Sequence, residues 1–249
     1  MKTITRLAFA GFILVMANAV DAAEIKVLCS NGIRAVLEEL APQFERETKH
    51  KVTVLFEPST RLKSRIEAGE AFDLTVLTPA LIDDVIKAGK VNAASRTVLA
   101  RSGLGISIRA GARKPDVSTV DAFKRALLAA RSITYASQGA SAAPFEALVE
   151  KLGLTAQIKP KYNLRETAAQ VGEAISSGKV ELGIAPVSEI LPVKGVELAG
   201  PLPAEIQSYV VMVGGVGTNA TDTNAAKRLL DFVIAPANLP VIKAKGMER

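Results

Sequence analysis

Four short runs of hydroxyl, amide and glycine residues carry the chemistry this sequence can offer: Ser30-Asn31-Gly32, Pro58-Ser59-Thr60, Thr78-Pro79 and Ser137-Gln138-Gly139-Ala140-Ser141. Each follows an apolar run that reads as a strand and precedes a run with helical spacing. A helix N-terminus leaves its first N–H groups without intrahelical acceptors and carries the positive end of the helix dipole, so such a turn favours an anion. In an open α/β sheet, ligands bind beyond the carboxyl ends of the strands. Turns facing one cleft would build a small-anion site from Ser30, Asn31, Gly32, Ser59, Thr60 and Thr78 in the first half and Ser141 in the second. Taken singly, each turn reads more readily as a helix cap, and it is their recurrence after strands in both halves that favours a ligand site.

Arg61 and Arg165 open helices beside these turns, where a cation opposes the helix dipole. An arginine fork suits a carboxylate bidentately, and a surface pair with Glu57 or Glu166 is the plain alternative. Glu189, after Ile184-Ala185-Pro186-Val187-Ser188, reads as a helix-start acid more readily than as a base.

Other chemistries lack their residues. With one histidine and one cysteine, His50 and Cys29, the usual zinc ligand sets are not available, and His50 reads as a solvated loop residue. No G-x-S-x-G elbow, G-x-G-x-x-G turn or P-loop occurs. Aromatic residues make up 4% of the chain and tryptophan is absent, which leaves little for base or sugar stacking. The net charge of +6 has no basic cluster behind it. A small anionic partner therefore fits better than nucleic acid, and no metal or cofactor is expected.

The elements that must position these turns alternate. Strands are read at residues 25–28, 51–56, 72–77, 104–108, 133–136, 157–159, 181–185 and 209–213, with helices between them, the pattern of an α/β protein with mostly parallel sheets. No Gly/Ser-rich linker divides the two halves, so two lobes would be joined by strands crossing between them as a hinge. Residues 1–22 read as a signal peptide, with Lys2 and Arg6 ahead of the apolar run Leu7 to Met16 and small residues after it. With a single cysteine, a periplasmic location fits. Lobe 1 is expected at 24–105 and 208–249 and lobe 2 at 106–207.

The chain resembles the type II periplasmic solute-binding proteins, and within them the molybdate-binding branch, which also includes aconitate-isomerase-like proteins. The likeness rests on "LAPQFERETKHKVTVLFEPSTRLKSRIEAGEAFDLTVLT", "EALVEKLGL", "ISSGKVELGIAPVSEI" and "NAAKRLLDFVIAPANLPVIKAKGM". It implies a two-lobed monomer that closes on an oxyanion held by hydrogen-bond donors and passes it to an ABC-type importer. Carried over by position, a binding serine falls on Ser59 beside Thr60, and backbone amide donors fall near Ser141 and Ala168. Two side-chain donors of the branch are missing, a first-turn serine where this chain has Gly32 and a tyrosine where it has Pro186. With Arg61 and Arg165 at hand, a di- or tricarboxylate becomes as good a ligand as molybdate. The alternative reading is an isomerase of an unsaturated tricarboxylate, whose base would be a carboxylate, a lysine or a tyrosine such as Tyr135.

Overall fold

The computed structural model describes residues 22–249. The signal-peptide assignment falls, but for Ala22, outside them. Among the described residues no helix is long and apolar enough to cross a membrane.

The strands are β1 (Glu24–Ser30), β2 (Lys51–Glu57), β3 (Leu74–Leu77), β4 (Thr97–Arg109), β5 (Ile133–Tyr135), β6 (Leu182–Pro186), β7 (Val196–Pro201) and β8 (Tyr209–Val216). They form one curled sheet of order β2-β1-β3-β8-β4-β6-β5, with β7 on β4. β1 pairs parallel with β2 and β3, and β5 parallel with β6. Every antiparallel pairing involves β4 or β8. The sheet is thus parallel where βαβ units build it and antiparallel where the chain crosses between halves. β4 makes that crossing visible. Residues 97–103 pair with β8, and residues 104–109 pair with β6 and β7.

The first half carries α1 (Arg34–Thr48), α2 (Ser59–Glu67) and α3 (Pro79–Lys87). The second carries α4 (Val120–Ala129), α5 (Ala142–Lys151), α6 (Thr155–Ile158), α7 (Ala168–Ser176) and α8 (Val187–Ile190), and the chain returns to the first half with α9 (Thr223–Val233) and α10 (Leu239–Ala244). α1 buries Val36, Leu37, Leu40 and Phe44, one stripe at helical spacing, in the main core together with β1 and α9. Leu62, Ile66, Ile82 and Val85 from α2 and α3 cover the opposite face of the same sheet, with Leu28, Leu77 and Val213. Burying either set is worth about 1.5–3 kcal/mol per large side chain, which fixes the orientation of α1 and α2 and so the aim of their N-termini.

Three local readings change. The strand expected at 157–159 is α6 followed by a 3-10 turn over 159–161. Leu154 and Ile158 are buried four residues apart, a helical spacing, and Pro160 cannot serve a sheet ladder. β7 escaped notice because its Gly200 and Pro201 look like loop residues. His50 is buried, not solvated. Lys49 takes a left-handed conformation (φ 65°) that ends α1 and turns the chain inward, so the His50 ring stacks on Phe44 at 5.9 Å and its Nδ1 accepts the Ala23 N–H at 3.1 Å.

Candidate functional site

A small cavity of about 20 Å³ lies where the two halves meet. Ser30 and Asn31 reach it from the end of β1, Ser59 from the start of α2, Gly139 and Ala140 from the turn before α5, and Thr167 and Ala168 from the start of α7. Four helix starts converge on one point. The N–H groups of Ser59 and Thr60, and of Ala168 and Ala169, open helices of nine residues and have no acceptor within them. α7 is held in register by a capping box in which Thr167 Oγ1 accepts the Gln170 N–H and Gln170 Oε1 accepts the Thr167 N–H.

The Ser59 hydroxyl separates a ligand site from ordinary capping. Pro58, not Ser59, is the N-cap of α2, and the Ser59 side chain is buried with no hydrogen-bond partner. Ser30 is likewise buried and makes no cap bond. Buried hydroxyls are nearly always satisfied in folded proteins.

A larger cavity of about 570 Å³ adjoins the first and shares Asn31, Pro58, Thr167, Ala168 and Glu189 with it. Arg34, Arg61, Glu38 and Glu57 add charge to its wall. Glu57 is held by Arg65 through two bonds of 2.8 Å, which keep its carboxyl below the usual carboxylate range with Arg61 as a lesser influence. The expected alternative of an Arg61–Glu57 pair is therefore not what forms. Arg34 donates to Asn31 Oδ1 at 3.1 Å and lies over the Phe56 ring at 4.4 Å.

Glu189 is the one acid that reaches both cavities. α8 is anchored by Ser188, whose Oγ donates to the Gly32 carbonyl at 2.9 Å and whose N–H donates to Ser102 Oγ at 3.1 Å. That contact joins the two halves directly and sets Glu189 beside Asn31 and Gly32. No hydrogen bond or ion pair to its carboxyl is formed among the described residues. Burial pushes the carboxyl up to about 7.

Of the residues read from the sequence, Ser30, Asn31, Ser59 and Ala168 line the small cavity, and Arg61 lines the larger one. Gly32 lies buried directly beneath, and Ser141 is buried behind Gly139 and Ala140 at the start of α5. Thr60, Thr78 and Arg165 line neither cavity. Thr60 is exposed on the outer side of α2, and Arg165 folds back on its own loop, Nη1 donating to Asn163 Oδ1 at 2.6 Å and to the Leu164 carbonyl at 2.9 Å. Tyr135 is enclosed in the second half between Phe145 and Tyr162, bonded to Glu146, and its phenol is pushed upward first by burial and then by that bond. It is not placed to take a proton from a ligand in the cleft. Arg34 was missed, although it stands three residues after Asn31, where one helical turn returns a side chain to the same face.

A curled α/β sheet whose two halves share crossing strands, with a donor-lined cleft between them, is the build of a two-lobed binding protein. The chain belongs to the bacterial extracellular solute-binding protein family, whose model matches residues 25–248. It is similar to an aconitate isomerase of a Pseudomonas species, 27% identical over 229 residues that cover 90% of this chain and 87% of that protein. It is also similar to the molybdate-binding protein ModA of Azotobacter vinelandii, 29% identical over 242 residues that cover 93% and 92%. The solved periplasmic molybdate-binding protein of Azotobacter vinelandii superposes with a TM-score of 0.76 at 19% identity, over 90% of this chain and 99% of that one.

Proposed function

We propose that this protein captures a small anion between its lobes in the periplasm and presents it to an ABC-type importer. The observation that carries the reading is the unpartnered Ser59 hydroxyl in a cavity where four helix starts converge. The family match and the likeness to a molybdate-binding protein support it. The larger cavity, with Arg34 and Arg61 on its wall, gives room for a ligand longer than a tetrahedral oxyanion, so a di- or tricarboxylate fits with one end at the helix starts and another at the arginines. In this reading residues 24–105 and 208–249 form one lobe and 106–207 the other, and a monomer closes about β4 and β8 as a hinge. The change of partners within β4 after Gly103 supports that division. A thermal-shift screen against molybdate, tungstate, sulfate, phosphate, citrate and the aconitates tests it, since binding to the native state raises the unfolding midpoint. Stabilisation by at least one anion is expected, and none by any would refute capture.

Glu189 favours a second reading. An isomerase of an unsaturated tricarboxylate needs a base within reach of an acidic C–H, and a cleft carboxyl poised near 7 meets that need where Tyr135 does not. The likeness to an aconitate isomerase points the same way. Proton NMR of trans-aconitate with the purified protein decides it: appearance of the cis isomer above the uncatalysed rate supports the enzyme, and its absence leaves the receptor.

A further inference from the structure

We propose that Glu189 binds the ligand as the neutral acid, donating its proton to an anion oxygen beside Gly32, so that capture takes up one proton wherever the free carboxyl is ionised. The proposal rests on the anion-capture reading and names how that site completes its donor shell.

The geometry carries it. A Cβ built on Gly32 would come within 2.9 Å of Met212 Cε and 3.8 Å of Glu189 Oε1. A side chain at position 32 would meet Met212 first, and the Glu189 carboxyl stands beside that turn at ordinary contact distance. The small cavity that Glu189 lines also holds the Ser30 and Ser59 residues and the opening turns of α2 and α7, with Glu166 as its other acid. An ionised carboxylate among them would oppose an anion, whereas a carboxylic acid presents one more O–H. Pro186, in the position of the other missing donor, has no hydroxyl to offer, and Glu189 joins Asn31 and Thr167 as a side chain that reaches both cavities and can add a donor.

Charged groups face Glu189 from several sides. Arg34 and Glu38 of α1, Glu57 at the end of β2, and Arg61 of α2 line the larger cavity with it, and Glu166 lines the smaller one. β4 and β7, which also pack on α8, carry Arg101, Arg109 and Glu197. Arg101 pairs with Glu248 and Glu197 with Lys114, and Arg109 lies against Gly178, away from the cleft. Arg34 is shared with Glu38 and Glu57 with Arg65. Among the described residues no cation is paired with Glu189, and burial pushes its free carboxyl up to about 7. Below that pH the acid is already present and affinity is flat. As pH rises above it, capture must take up a proton, and affinity falls by up to tenfold per pH unit.

The test uses molybdate, fully ionised from about pH 6 to about pH 9, and trans-aconitate, whose own last ionisation is titrated without protein and subtracted, in calorimetric titrations repeated in buffers of different ionisation heat. For whichever probe binds, the expected result is pH-dependent affinity above about 7 with uptake of close to one proton. Glu189→Gln, a permanent donor of similar shape, should keep the affinity seen at about pH 6 and lose both the pH dependence and the proton uptake. Circular dichroism confirms that the variant is folded. Affinity independent of pH in the wild type, unchanged pH dependence in Glu189→Gln, or a folded Glu189→Gln that binds nothing would each overturn the proposal while leaving anion capture intact. Failure of both probes to bind the folded wild type would overturn it too, and the thermal-shift panel then tells whether capture itself fails with it.

Discussion

Replacing Ser59 with alanine should strengthen the ligand-free protein and weaken its grip on the anion. A buried hydroxyl without a partner costs about 1–3 kcal/mol, and the Ser59 Oγ is one. Ser59→Ala removes that cost and leaves α2 otherwise intact, since Pro58 is the cap and Leu62 and Ile66 hold the helix down. A gain of about 1 kcal/mol in unfolding free energy is the expected outcome, or roughly 2–4 °C in Tm for a chain of this size. On the ligand side, a hydrogen bond to a charged acceptor is worth about 1.5–3 kcal/mol, which is a loss of ten- to a hundredfold in affinity. Wild type with ligand at about a hundred times Kd gains about 2.7 kcal/mol, so the variant under the same conditions gains between about 1.4 and about 0.4 kcal/mol. Urea unfolding with and without ligand, paired with titration calorimetry, reads both halves. A variant that is less stable when free and binds as tightly as wild type would show that the hydroxyl serves the fold, and the assignment of the small cavity as the ligand site would fail.

Other outcomes follow from the same geometry. Arg61→Ala should weaken a di- or tricarboxylate by about tenfold, while Arg165→Ala, whose guanidinium is folded onto Asn163 and Leu164, should leave affinity within about twofold; titration calorimetry of the two side by side checks this. Asp73→Ala should cost about 2–5 kcal/mol of stability by urea unfolding, because its carboxylate accepts the Lys26 and Thr221 N–H groups at 2.7 and 2.6 Å and both would lose their acceptor. Gly214→Ala should cost about 1–3 kcal/mol in the same assay, since a Cβ there lies 2.4 Å from Leu230 Cδ2 in the packed layer between β8 and α9. Tyr135→Phe should leave any aconitate isomerisation unchanged by NMR, as the phenol is committed to Glu146 and does not face the cleft.

The parts of this molecule that repeat local rules were legible in the sequence. The apolar stripe of α1, Pro79 at the start of α3, and the glycines ending α2, α3 and α7 mark those elements from composition alone, and the turns at Ser30, at Ser59 and at Gly139-Ala140 line one cavity. What the sequence hid depends on packing between distant segments. Thr78 has the same local chemistry as Ser59, yet α3 starts away from the point where the two halves meet. Arg165 has the chemistry of Arg61, yet its own loop supplies carbonyls that capture it. Glu189 follows a proline and a serine like any helix-start acid. Only the contact of Ser188 with the Gly32 carbonyl, 156 residues away in the chain, turns it into the acid of the cleft.

The most direct test of the central claim is an amide NMR titration of the protein with the anion that stabilises it most. Anion binding at the helix starts should move the resonances of Ser59, Thr60, Ala140, Ala168 and Ala169 well beyond those of the rest of α2 and α7. Saturable binding that leaves these amides in place would contradict it, and the ligand would have to sit elsewhere.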